Sequence, residues 1–214
     1  GRSALLLSMG NISGRILGLL REMVIATYFG ASGEVSAFRV ASQVPTLIYD
    51  LLAGGMLSAA LVPTLSEYSG LNKREAFVRL AGSLLTLFAF ALALIVILLQ
   101  FFVPQLAQLM APGFALHQPD LIPKTAQMLR LILPAVWLIS MAGVVMGVLY
   151  AQKRFMAPAL SAAVFNLGIV VGTPLLAPSL VATSLVIGIL LGSAAQLGVM
   201  LWDLRRFLLS ADLH

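Results

Sequence analysis

Long apolar stretches alternate with short polar punctuation along this chain, and six of them read as helices: about 4–29, 36–66, 75–103, 121–151, 156–177 and 180–207. Crossing a hydrocarbon core of about 30 Å takes roughly 20 helical residues. The pattern therefore predicts an all-α membrane protein, a bundle of six transmembrane helices. Turn residues separate the stretches, with Gly30 to Gly33 after the first, Ser69-Gly70-Leu71-Asn72 after the second, and Ala111-Pro112-Gly113 within the third connection. Asn72 followed by Glu75 has the spacing of a capping box that opens the third span.

Polar residues inside the first two spans break this pattern. A charged side chain at mid-bilayer costs about 2.5–3.5 kcal/mol on insertion scales, so such residues mark candidate sites. In the first span Arg15 and Glu22 lie seven apart and share a face, with Asn11 one turn before Arg15. Arg21 points about a quarter to a third of a turn away. In the second span Arg39, Gln43, Thr46 and Asp50 follow the helical rhythm and form one polar stripe. Pro45 interrupts that stripe, and Gly54-Gly55 adds a second weak point, so a kinked helix with a polar inner face is expected. Such a helix suits a cavity wall.

Arg15, Arg21 and Arg39 outnumber Glu22 and Asp50 in this set. The surplus favours an anionic ligand, because guanidinium clasps phosphate in a bidentate fashion. The plainer alternative is that these charges neutralise one another between helices or snorkel to the interface. Asn166 and Gln196 either line a cavity or bond across helices. Arg130, close before Pro134, either guards an outer mouth or snorkels. Phe88, Phe101, Phe102 and Trp202 read as lipid-facing or interfacial side chains.

Composition and charge place these helices. The chain is 60% hydrophobic and 10% charged, with a mean hydropathy of +1.03. The formal net charge is +5, but the basic residues sit at the ends of apolar stretches rather than in a nucleic-acid-binding patch. Arg2, Lys73, Arg74, Arg79, Lys153, Arg154, Arg205 and Arg206 fall on one side, against Lys124 on the other, which predicts cytoplasmic ends. Absence of cysteine excludes disulfides and thiolate chemistry, and His117 and His214 lie outside the spans, so no metal site or other cofactor is expected. No signal peptide is read, and the chain is expected to be a segment of a longer one. Gly10/Gly14, Gly14/Gly18, Gly143/Gly147, Gly168/Gly172 and Gly188/Gly192 have the spacing that lets membrane helices approach closely.

Gly14-Arg15-Ile16-Leu17-Gly18-Leu19-Leu20-Arg21-Glu22 is similar to the first-helix signature of the MurJ/MviN family of lipid II flippases. Phe29-Gly30-Ala31, Ala37-Phe38, Pro45, Gly55, Ser58, Ala60-Leu61-Val62-Pro63 and Glu67-Tyr68 resemble that family's second helix. Ala111-Pro112-Gly113-Phe114 resembles its external loop, and Arg154-Phe155, Pro158 and Asn166 the join of its fourth and fifth helices. The chain departs from the family at Ser36, at Tyr49-Asp50 and at Gly54, where an acid, one or two arginines and a glutamate are usual. Arg39, at a usually apolar place, is a candidate to restore the lost positive charge.

The resemblance implies one lobe of a two-lobe exporter-type flippase, with residues 1–214 as the N-lobe and the C-lobe missing from this chain. It implies a multi-pass protein of the bacterial inner membrane that translocates lipid II from inner to outer leaflet by alternating access. Arg15 and Arg21 correspond to the family's functional first-helix arginines. The implied energy source is an ion gradient or the membrane potential, and no P-loop pattern for ATP occurs. Alternatives are a flippase for another polyprenyl-diphosphate-linked saccharide, or a non-transporting membrane scaffold that binds lipid II. An intramembrane enzyme is disfavoured, because no histidine falls in a span.

Overall fold

The computed structural model describes residues 2–51, 61–68 and 74–210, and every regular element among them is helical. In chain order these are α1 (Arg2–Phe29), α2 (Gly33–Leu51), α3 (Val62–Ser66), α4 (Arg74–Phe101), α5 (Val103–Met110), α6 (Pro112–His117), α7 (Leu121–Ala151), α8 (Met156–Leu180) and α9 (Thr183–Ser210). Four helices among the described residues are long and apolar enough to cross a membrane, and they lie in α4, α7, α8 and α9. The chain is a multi-pass membrane protein. Helices α1 and α2 pack beside these four, on α8 and α7 respectively, and carry Arg15, Arg21, Glu22 and Arg39.

Of the stretch read as one span over 36–66, α2 is described as far as Leu51 and α3 from Val62, and residues 52–60 lie outside the described residues. Gly54 and Gly55 lie outside the described residues, as does Asn72 of the expected capping box. One expectation needs correction: the connection after α4 is not a simple turn but contains α5 and α6. Phe102 leaves helical geometry at φ −101° and ψ 10°. Pro104 and Pro112 then fall in the first turns of α5 and α6, where a missing N–H costs no internal hydrogen bond. Apolar periodicity alone does not register so short a break.

Helix α7 is the centre of the bundle. It is mostly buried, and α2, α4, α5 and α9 all pack on it. Helix α8 lies between α1 and α9. Helices α1 and α2 are joined by a tight turn at Gly30 (φ +57°), whose N–H bonds the Ala26 carbonyl at 3.0 Å. They nevertheless barely touch along their lengths, and a cleft opens between them.

Glycine seams set the close approaches. Gly168 and Gly172 on α8 meet Gly188 and Gly192 on α9, backbone against backbone. On the other side of α8, Ala159 stands against Gly10, and a Cβ at Gly14 would lie 2.9 Å from the Ala162 methyl. Two apolar clusters fill the rest. One gathers Phe38, Leu129, Ile132 and Leu185, the other Phe77, Val144, Leu149 and Met200. Trp137 packs against both, and its indole N–H donates to the Ala89 carbonyl on α4 at 2.9 Å. Phe101, Phe102 and Trp202 are exposed, whereas Phe88 is partly buried against the second cluster.

At the end where α7 turns into α8, Lys153 takes a left-handed conformation (φ 56°). The neighbouring Arg154 reaches the Asp203 carboxylate of α9. Its guanidinium also lies 5.9 Å from the centre of the Phe207 ring. Phe207 in turn packs edge-on against Phe77 of α4, with centroids 6.4 Å apart. One arginine thus ties a connection and two helices together.

Candidate functional site

The cleft between α1 and α2 leads into a cavity of about 610 Å³, with those two helices as walls and α7, α8 and α9 behind them. Its charged region is built around Glu22. One carboxylate oxygen accepts from Arg21 Nη2 at 2.9 Å, and the other accepts from Arg39 Nη2 at 2.9 Å. Because Arg39 is on α2 and Glu22 on α1, this ion pair spans the cleft where the backbones do not meet. Two guanidiniums against one carboxylate leave the cluster with a net positive charge.

Arg21 is held from a second direction. Its Nη1 donates to Asn166 Oδ1 of α8 at 3.2 Å. Asn166 Nδ2 donates to the carbonyls of Gly14 at 3.3 Å and Ala162 at 3.0 Å. The Nε of Arg21 is buried without a hydrogen-bond partner, a donor whose desolvation is uncompensated.

Away from the charges the lining mixes neutral polar side chains, Asn11, Gln43, Thr46, Tyr150 and Ser161 among them, with apolar ones such as Ile139, Met146 and Phe165. Gln196 Nε2 donates to Ser161 Oγ across the α8–α9 interface. Pro45 sits within α2, which continues through it. The hydroxyls of Ser42 and Thr46 on either side bond back to the Arg39 and Ser42 carbonyls, at 3.0 and 3.1 Å.

The residues expected at the site separate into groups. Asn11, Arg21, Glu22, Arg39, Gln43, Pro45 and Thr46 line one cavity. Arg15 is exposed and is not part of that lining. The side chain of Asp50 lies outside the described residues. Ser36, at one departure from the family pattern, bonds the Ser32 carbonyl at 3.3 Å in the first turn of α2. Arg130 lines a separate groove of about 490 Å³ beside Pro104 and Gln127. Helical phase set Arg21 apart from the Arg15–Glu22 face, but its side chain reaches back to Glu22 while resting on α8. The sequence pattern does not single out Ser42, Tyr150 or Ser161. A lone hydroxyl in an apolar helix carries no signal until the neighbouring helix is known. Among the described residues no group of three or more His, Asp or Glu side chains is arranged to hold a metal ion.

A family model described as lipid II flippase MurJ matches residues 25–213. The chain belongs to the MurJ family. That match begins at Ile25, near the end of α1. A MurJ-family relative from Rickettsia prowazekii, named a probable lipid II flippase, is 28% identical over 214 residues, covering 100% of this chain and 41% of its own. A lipid II flippase MurJ from Burkholderia cenocepacia is 32% identical over 180 residues, 84% of this chain and 34% of its own. A solved structure of a lipid II flippase MurJ in an inward closed conformation superposes with a TM-score of 0.75 at 27% identity, over 92% of this chain and 41% of that one. The chain thus spans about a third to two fifths of the length of the MurJ proteins it matches.

Proposed function

We propose that this chain is the N-terminal lobe of a flippase that moves lipid II from the inner to the outer leaflet of the bacterial inner membrane. The observation that carries the reading is the Glu22 carboxylate held between Arg21 and Arg39 inside a cavity. A position that already seats one carboxylate between two guanidiniums, with positive charge to spare, suits a pyrophosphate carrying more negative charge. The neutral polar side chains within the mixed lining beyond it suit the hydroxyl- and amide-rich headgroup. Exposed Arg15 is free to meet the ligand or a second lobe.

In this reading six helices cross the membrane: α1, α2 with its continuation, α4, α7, α8 and α9. Basic residues at the ends of the spans support cytoplasmic termini. The two lobes rock around the central cavity in alternating access, driven by an ion gradient or the membrane potential. No covalent bond is made or broken.

The test uses the full-length protein in cells depleted of their essential lipid II flippase. Wild type is expected to restore growth, and Arg21→Ala combined with Arg39→Ala to abolish rescue while the protein stays inserted. Undiminished rescue by the double variant would overturn the arginine assignment. A stable wild type that binds undecaprenyl diphosphate without rescuing would favour a different polyprenyl-diphosphate cargo or a scaffold that does not transport.

A further inference from the structure

Helix α1 meets α8 along a ladder of small residues. Gly10 faces Ala159 and Gly14 faces Ala162, but at the third rung Gly18 faces Asn166, whose Nδ2 would stand 3.7 Å from an added Cβ. A seam of this kind needs only small side chains. An amide buried there, with Asn166 8% exposed, calls for another reason.

Its hydrogen bonds supply one. Both Nδ2 bonds run to backbone carbonyls, of Gly14 and Ala162, while Oδ1 accepts from the Arg21 guanidinium. Turning the amide over would set its oxygen against two carbonyls and its NH₂ against a cation, so the partners fix its orientation. Asn166 is therefore a rigid acceptor anchored on α1 and α8 at once. Arg21 has Asn166 on Nη1 and Glu22 on Nη2. When an anion takes the place of Glu22, the bond to Asn166 is the one that remains.

We infer that Asn166 is a positioning residue for the anion-binding arginine, holding the Arg21 guanidinium in place whether Glu22 or a diphosphate ligand occupies its other edge. This rests on the cavity reading proposed above, since it is that ligand which Arg21 must face. A neutral acceptor orients the guanidinium without cancelling its charge. An aspartate would hold the guanidinium by charge, but its second oxygen would face the Gly14 and Ala162 carbonyls and the cluster would become neutral.

The closing experiment reads Arg21 directly in the full-length protein. Phenylglyoxal adds to accessible guanidinium groups, and mass spectrometry gives its rate at Arg21 relative to exposed Arg130 in the same molecule. Asn166→Ala is expected to raise the relative rate at Arg21 several-fold. It is also expected to weaken binding of undecaprenyl diphosphate on the order of tenfold, as for loss of a hydrogen bond to a charged group. The same change in an Arg21→Ala background is expected to cost no further affinity. Asn166→Asp is expected to keep Arg21 protected while binding falls.

An unchanged rate at Arg21 in Asn166→Ala overturns the inference, as does an affinity loss of equal size with and without Arg21. If Asn166→Ala fails to fold, Asn166→Asp decides, and an Arg21 as reactive as Arg130 in that variant overturns it. Should wild type bind no undecaprenyl diphosphate while Asn166→Ala still unmasks Arg21, the cargo assignment fails and the positioning role stands.

Discussion

One added methyl group separates the glycines of α1 into two kinds. A Cβ at Gly10 would run into the Ala159 carbonyl, which belongs to the backbone and cannot swing aside, whereas one at Gly18 would meet Asn166 Nδ2 at an ordinary 3.7 Å. Gly10→Ala is therefore expected to destabilise the protein by about 1–3 kcal/mol through overpacking, and Gly18→Ala by much less. Thermal unfolding in detergent checks the pair, and equal midpoints would contradict the seam. The four-residue glycine spacing signalled a close contact but not its partner, because nothing local to α1 points to α8. Arg21 illustrates the same limit. Helical phase gives the direction in which a side chain leaves its helix, and the hydrogen bonds it finds depend on Asn166, far along the chain. Arg15 and Glu22 share a phase, yet only Glu22 has guanidiniums on both sides.

Whole helices were more legible than their partners. Runs of apolar residues marked α1, α4, α7, α8 and α9 to within a few residues, since a span in lipid must close its backbone hydrogen bonds within itself. The break around Phe102 was not legible, because apolar sequence continues across it. How helices dock is open to direct measurement, helped by the absence of cysteine from the chain. A Cβ on Gly172 would lie 3.3 Å from Gly188 Cα across the α8–α9 seam. Gly172→Cys with Gly188→Cys is expected to cross-link under mild oxidation, seen as a mobility shift in denaturing gels that reductant reverses. At the far end of α9, Arg154→Ala would strand Asp203, which is 8% exposed and already has one oxygen unpaired. The expected cost is about 2 kcal/mol, in line with hydrogen bonds to charged groups. Arg154→Leu combined with Asp203→Leu should recover most of it, since replacing both partners leaves no buried charge. Chemical denaturation of the three proteins distinguishes these outcomes.

At the scale of the whole molecule, the order of helices in space departs from their order in sequence, and that topology was the least legible feature of all. Helix α1 packs on α8, and α2 on α7, across most of the chain, so the cavity has a back wall only when the last three helices are in place. This has a consequence for biogenesis. Arg21 and Asn166 are separated by 145 positions, and a ribosome adds about 5–20 residues per second. For several seconds at the least, α1 resides at the translocon or in lipid with Arg21 lacking its α8 partner. Nascent chains stalled at residue 151 should leave a cysteine placed at Gly18, where a Cβ meets Asn166 at an ordinary 3.7 Å, open to maleimide, and chains extended past α9 should protect it. Equal labelling at both lengths would mean that α1 is shielded by something other than α8. The glycine ladder that lets the finished helices touch is also what obliges the first helix to wait for α8.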